Sequence, residues 1–190
     1  MTDRKESNSD LITPTLRVSE PAQLILRSIG EGDVRQATEC GLLAWQSSIG
    51  RYLGDFGPSQ WIDLENAFAL YLASFVNPKT DNGRNERLVI AECDGTIAGF
   101  CGYEMNEAYL SDLWVAPQWQ GRAVGAQLLK AAQLALRLSG QKMMALEVLA
   151  QNARAIAFYQ KHGLVETARS VKYDPVLKRK LLKIWMQMEL

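Results

Sequence analysis

A single histidine, His162, stands in 190 residues. That scarcity removes most histidine-based metal sites and catalytic triads at once. The three cysteines, Cys40, Cys93 and Cys101, are too few and too irregularly spaced for a disulfide framework or a zinc cage. Neither charge is in excess: 21 Lys and Arg balance 21 Asp and Glu. A dedicated nucleic-acid binder would carry a basic surplus, whereas a small anionic ligand needs only a local site. No apolar run approaches the ~20 residues of a membrane span. The longest candidate, residues 67–76, is short and is broken by Ser74. The first ten residues, MTDRKESNSD, lack the apolar stretch of a secretory signal. These absences predict a cytoplasmic protein with no metal site, contacting neither nucleic acid nor membrane.

What is present is an ordinary folding composition, 47% apolar and 22% charged, in a chain long enough to bury a core without staples. Residues 1–20 read as a flexible polar tail and residues 21–190 as one domain. Residues 23–29 form a strand, broken at Gly30 and Gly32, with Asp33 as a helix N-cap. Helices are predicted over 34–48 and from Pro58, the second with Trp61, Leu64, Phe68, Leu72 and Phe75 at helical spacing. The segment IGRYLGDFG between them reads as a glycine-rich loop, and residues 77–85 as an exposed one. RLVIAEC and TIAGFCGYE make a hairpin about Asp94-Gly95, and EAYLSDLWV is a third strand that stops before Pro117. A helix from about Arg122 ends at Gly140, with Val124, Leu128, Ala131, Ala135 and Leu138 on its apolar face. MMALEVL is a strand, Asn152 opens a helix closed by Gly163, and LVETARS and LLKIWMQMEL are the last strands. The loop between those two holds Tyr173, Asp174, Pro175 and the basic cluster of Lys178, Arg179 and Lys180. The order predicts an α+β or mixed α/β fold, one curved sheet with helices on both sides.

The sharpest feature is VAPQWQGRAVGAQLL, a strand, a turn and a long amphipathic helix. Gly121 permits close backbone approach. The opening amides of the helix carry the positive end of its dipole, a ready site for phosphate or pyrophosphate. Arg122 can add charge-assisted contacts. The glycines do not suit a nucleoside-triphosphate loop: Gly121 and Gly125 are one residue too close, and Ala126 and Gln127 stand where Lys is needed. They do not suit a dinucleotide fingerprint either. A plain turn with a helix-packing glycine is the bland alternative.

The run from Gln120 to Gly125, Q-G-R-A-V-G, resembles the pyrophosphate loop of the GNAT superfamily of acyl-CoA N-acetyltransferases, whose pattern is Q/R-x-x-G-x-G/A. Gln120 and Gly125 match, and Ala123 replaces the middle glycine, tolerable if its φ is negative. Residues 146–166 resemble the family's second block through Asn152, Tyr159 and Gly163. Together the two motifs cover somewhat under half of the chain. The resemblance implies the GNAT fold: one mostly antiparallel sheet of about seven strands, splayed between two central strands, with helices on both faces.

It also implies transfer of an acetyl group from acetyl-CoA, as co-substrate, to a primary amine by direct attack in a ternary complex, with no metal. The acceptor would be a small molecule or a peptide N-terminus, and a homodimer stays open. A non-catalytic acyl-CoA sensor of the same fold is the alternative, kept alive by Ala123 and by the lack of a carboxylate at Ser111. The implied cofactor-binding residues are Leu113, Trp114, Val115, Gln120, Gly121, Arg122, Ala123, Val124, Gly125, Ala126, Asn152 and Tyr159. Backbone amides near Trp114 and Val115 would hold the carbonyl oxygen, and Tyr159 would protonate the leaving thiolate. His162 is expected to be an exposed residue at a helix end. For the base, strict alternation puts Glu107, Tyr109 and Ser111 on one face of their strand and Asp112 on the other. Glu107 is then the nearest carboxylate, and Asp112 ties a helix or loop. Tyr52, Tyr109, Ser111 and Tyr173 are expected at the acceptor, Trp45 in the core, and Cys93 and Cys101 in the core.

Overall fold

The computed structural model describes residues 23–54, 56–76 and 85–190. The predicted tail, and residues 77–84 of the predicted 77–85 loop, lie outside them. Seven strands form one sheet in the order β1-β2-β3-β4-β5-β7-β6. They are β1 (Leu24–Ser28), β2 (Glu86–Cys93), β3 (Thr96–Glu104), β4 (Tyr109–Val115), β5 (Met143–Leu149), β6 (Val165–Asp174) and β7 (Arg179–Glu189). All neighbours run antiparallel except β4 and β5. The helices are α1 (Val34–Trp45), the single turn α2 (Arg51–Leu53), α3 (Pro58–Ala73), α4 (Val124–Leu138) and α5 (Ala153–Lys161). Among the described residues no helix is long and apolar enough to cross a membrane.

The sheet is covered on both faces, as expected. On one side Val124, Leu128, Leu129, Ala132 and Leu136 of α4, with Tyr159 of α5, pack against Cys101, Leu110, Met144 and Met186. On the other, Ala37, Cys40 and Trp45 of α1 and Leu64, Phe68 and Leu72 of α3 pack against Leu88, Ile90, Ile97 and Phe100. All three cysteines are buried and unpaired. The α4 stripe turns slightly from the predicted one: Leu138 is exposed, and Ala132 and Leu136 take the buried places.

Four local expectations need correction. Asp33 does not cap α1 with its side chain. Its carboxylate accepts from the Gly30 amide at 2.7 Å and from Arg27, closing a short 3₁₀ turn ahead of the helix. The first half of IGRYLGDFG is helical: α1 continues through a π-helical turn, Gln46–Gly50, into α2. Strand β4 begins only at Tyr109, because Ala108 adopts φ 49° and closes a turn that includes Glu107. Finally, Tyr173, Asp174, Arg179 and Lys180 belong to strands, so the last loop is shorter than predicted.

β6 is an edge strand, exposed along all but its last residue, with a bulge at Thr167. The turn after it is strapped down. Lys178 Nζ donates to Asp63 of α3 at 2.9 Å, and Arg179 Nη1 to the Leu53 carbonyl at 2.8 Å.

Candidate functional site

Strands β4 and β5 pair only at Tyr109 with Ala145 and Leu110 with Leu146, then part. Beyond Leu110, β4 stays bound to β3 while its other edge faces a gap. The Ala116 amide donates to Ala98 of β3 at 3.0 Å. Peptides alternate along a strand, so the N–H and C=O of Val115 and Leu113 turn toward the gap. The Val115 carbonyl there is taken by Gln120 Nε2 at 2.8 Å. Arg154 of α5 in turn holds the Gln120 side-chain oxygen. Gln120 therefore ties the turn to the end of β4 and to α5.

The turn between Gln120 and α4 is built on two residues with positive φ, Gly121 at 77° and Ala123 at 62°. The condition placed on Ala123 is not met. It sits in the left-handed region as the N-cap of α4, and its carbonyl accepts the first helical bond, from Gln127, at 3.0 Å. The helix starts at Val124, two residues later than predicted. Open space surrounds Gly121, where an added Cβ would meet nothing within 4 Å. No acidic side chain occupies the first turn of α4, and the Arg122 guanidinium lies 5.3 Å from the Trp119 ring centre. The amides of Val124, Gly125 and Ala126 open the helix without intrahelical partners. An open approach, free amides, one cation and no carboxylate fit a bulky anionic group such as pyrophosphate.

The opposite side of β4 carries a cavity of about 240 Å³, walled chiefly by Trp45, Phe68, Tyr71, Trp114 and Leu177, with Asp112 and Asp174 also lining it. Asp112 comes to this face because β4 has a bulge at Ser111: Asp112 pairs with Gly102 and Leu110 with Tyr103, leaving Ser111 extra. One extra residue inverts the alternation. Leu113 and Val115 then point to the α4 side, and Trp114 to the α1 and α3 side. Trp114 Nε1 donates to Asp112 Oδ1 at 2.6 Å. The Tyr71 hydroxyl is shared among Asp112, Glu86 Oε1 at 3.1 Å and Ser111 Oγ at 3.2 Å, and Ser111 Oγ donates to Glu86 at 3.0 Å. Gly102 makes room for this junction, since a Cβ there would lie 2.0 Å from the Tyr71 oxygen.

Burial pushes the Asp112 carboxyl up to about 6, reinforced by the charge of Glu86 and opposed by the Trp114 and Tyr71 hydrogen bonds. Burial likewise raises the Tyr159 phenol, and the charges it feels include Asp112 and Tyr109. Tyr159 is buried on the α4 side of the sheet, and Asp112 lies on the cavity side.

Of the other expected residues, Asn152 caps α5, its Oδ1 accepting from Ala155 N at 3.2 Å. Tyr109 stacks on Trp185 at 5.5 Å, and burial raises it to about 12. Ser111 is engaged by Glu86 and Tyr71 rather than open to the cavity. Glu107 is exposed in the turn before β4 and does not share a strand face with Tyr109 and Ser111. Tyr52 and Tyr173 are 42% and 60% exposed and do not line the cavity; Trp45 and Asp174 do. His162 is half-buried, its Nδ1 2.7 Å from the Phe158 carbonyl. Among the described residues no group of three or more His, Cys, Asp or Glu is placed to hold a metal ion. Sequence reasoning passed over Asp112. The available signal was a carboxylate inside the otherwise apolar run DLWV, where burial without a partner is costly.

The model of the Acetyltransferase (GNAT) family matches residues 55–164. The aminoglycoside N(6')-acetyltransferase type 1 of Stenotrophomonas maltophilia is 30% identical over 146 residues, 74% of this chain and 90% of that protein. Among solved structures, the PaiA N-acetyltransferase of Thermoplasma acidophilum, crystallised with coenzyme A, superposes with a TM-score of 0.67 at 18% identity, covering 88% of this chain and 99% of that one. The ribosomal-protein-S18-alanine N-acetyltransferase of Escherichia coli does so with a TM-score of 0.62 at 21% identity, over 88% and 94%.

Proposed function

Because the chain belongs to the acetyltransferase (GNAT) family, and is an N-acetyltransferase that uses acetyl-CoA, we propose that it acetylates a primary amine by direct attack, with Asp112 as base and Tyr159 as acid. The observation that carries this reading is the parting of β4 from β5 after Leu110, which leaves the Leu113 and Val115 peptides facing a gap.

Acetyl-CoA supplies a thioester carbonyl and a thiolate leaving group. The amides of Val124, Gly125 and Ala126, with Arg122, bind its pyrophosphate. The Leu113 and Val115 amides face the gap as donors for a carbonyl oxygen that gains charge. The cavity holds the amine against that gap, so much of the rate comes from proximity. An amine of ordinary basicity, pKa about 10, arrives protonated. Trp114 fixes Asp112 through Oδ1, and the second carboxylate oxygen takes the proton. A carboxyl raised to about 6 is a stronger base than an ordinary one yet still ionised at neutral pH. As the C–N bond forms and the C–S bond breaks, Tyr159 gives its Oη proton to the departing sulfur and its tyrosinate takes back the remaining extra proton of the nitrogen. Glu107, exposed in its turn, has no part in this route.

The test is steady-state release of CoA thiol with a saturating amine. Tyr159→Phe should lower kcat by about 10²–10⁴ with acetyl-CoA affinity unchanged, because the proton is needed only in the transition state. Asp112→Asn should lower it comparably, and Glu107→Gln should leave it within twofold. Full activity in Asp112→Asn, or loss in Glu107→Gln, overturns the base assignment.

A further inference from the structure

The cavity beside Asp112 is small and chemically one-sided. Its volume of about 240 Å³ is below the ~300–1,000 Å³ of pockets for drug-sized ligands. Its walls are mostly carbon: Trp45, Leu64, Phe68, Trp114 and Leu177. Its two charged residues are both carboxylates, Asp112 and Asp174, and among the described residues no Lys, Arg or His lines it. Glu86 adds a third negative charge near Asp112, and among the described residues Lys183 is the one cation close enough to act on it.

The walls are also fixed. Trp45 is wedged edge-on against Phe56 at 4.9 Å and Trp61 at 5.7 Å, and Phe68 against Trp114 at 5.6 Å. On the far side, Asp174 Oδ1 accepts from the Val176 and Leu177 amides at 3.1 and 2.9 Å, and the Lys178–Asp63 and Arg179–Leu53 straps hold the turn that carries them. These contacts hold the aromatic walls in place, while the cavity stays open to solvent on one side.

Resting on the transfer reading above, we infer that the acceptor is a small monoamine with an apolar body and no carboxylate. Its ammonium meets Asp112 while the carbon body lies on the aromatic walls, where ring faces also attract a cation. A polyhydroxylated amino sugar would set its hydroxyls and further ammonium groups against carbon, each losing water without a partner. A peptide N-terminus would do the same with its amides. An amino acid would bring a carboxylate to a site where three carboxylates outweigh one lysine.

The test is a panel of n-butylamine, n-pentylamine, n-hexylamine, 2-phenylethylamine, phenylalanine, kanamycin and an alanyl peptide. Two signals are read: CoA thiol release with acetyl-CoA, and quenching of tryptophan fluorescence with CoA present, since Trp45 and Trp114 line the cavity. The kcat/KM for 2-phenylethylamine should exceed that for phenylalanine, kanamycin and the peptide at least 100-fold. Along the alkyl series it should rise about 4-fold per methylene, the equivalent of ~0.8 kcal/mol. Ala67→Leu, which adds carbon to the cavity lining, should lower 2-phenylethylamine turnover at least 10-fold with calorimetric acetyl-CoA affinity unchanged. If that variant loses acetyl-CoA affinity, the alkyl series alone decides. Preference for kanamycin or the peptide, or a flat alkyl series, overturns the acceptor class while amine transfer stands. Quenching by the monoamines without thiol release keeps the class and overturns transfer. Neither signal with any monoamine overturns the class.

Discussion

Asp112 is kept where ionisation is disfavoured, and that has opposite consequences for stability and for activity. Its carboxyl is raised from the ordinary 3.8 to about 6, first by burial. Folding therefore favours the protonated form. The stabilisation is complete below pH ~4 and is lost as pH rises through about 6. Asp112→Asn, which keeps an acceptor for Trp114 Nε1, should accordingly be more stable than the parent at pH 8, by on the order of 2 kcal/mol in urea titration. The advantage should shrink toward pH 4, while activity is lost throughout. Activity needs the ionised form, so kcat should fall on the acid side with a midpoint near 6. Trp114→Phe removes a hydrogen bond that favours the carboxylate and should move that midpoint upward. A midpoint that stays in place would detach it from Asp112. The residue escaped the sequence because alternation was counted through Ser111, where one bulged residue swaps the faces. The same counting ran β4 back through Ala108, whose positive φ ends it, and so put Glu107 on a strand it never joins. The Asn152 cap was legible because helix spacing has no such slip: a cap is fixed within one element.

At the scale of elements, the turn into α4 carries strain at Ala123. A non-glycine residue in the left-handed region costs roughly 1–2 kcal/mol, and glycine's extra freedom in the unfolded chain returns about 0.4–1 of that. Ala123→Gly should therefore stabilise the fold by about 0.5–1 kcal/mol in denaturant unfolding, with acetyl-CoA affinity retained or improved. Gly125 is different. A Cβ there would meet Val115 Cγ2 at 3.5 Å and Phe158 at 3.6 Å, ordinary contacts. Gly125→Ala should fold normally, whereas Gly125→Glu should abolish calorimetric binding of acetyl-CoA by putting an anion among the α4 amides. Strands, long helices and the Asp94-Gly95 hairpin could be read from period and turn chemistry. Residues 49–53 could not. Gly50 and Gly54 look like loop residues, and the turn is held by packing: a Cβ at Gly50 would come within 3.0 Å of the Trp45 ring. That contact is itself local, five residues apart, but it acts through the Trp45 ring and not through helix propensity. The same limit hid Trp45's second role, since its wall duty depends on Trp114 and on the hairpin turn after β6, far away in sequence.

For the molecule as a whole, acetyl-CoA should add stability by mass action. At about 100 times its dissociation constant it contributes roughly 2.7 kcal/mol, read as a rise in Tm that ATP at the same concentration does not reproduce. An unmoved Tm would contradict binding at the α4 turn. The β6 edge bears on a different property, colloidal behaviour. Ten residues of open strand edge present unpaired peptide groups to any passing chain. Arg169 and Lys172 are paired with Glu166 and Glu147, which leaves the Thr167 bulge to interrupt the edge. Net charge is zero, so the protein has no global repulsion to fall back on. Concentrated stocks should therefore cluster most readily near neutral pH and disperse as the pH moves away from it, so the choice of storage medium is written into one edge of the sheet.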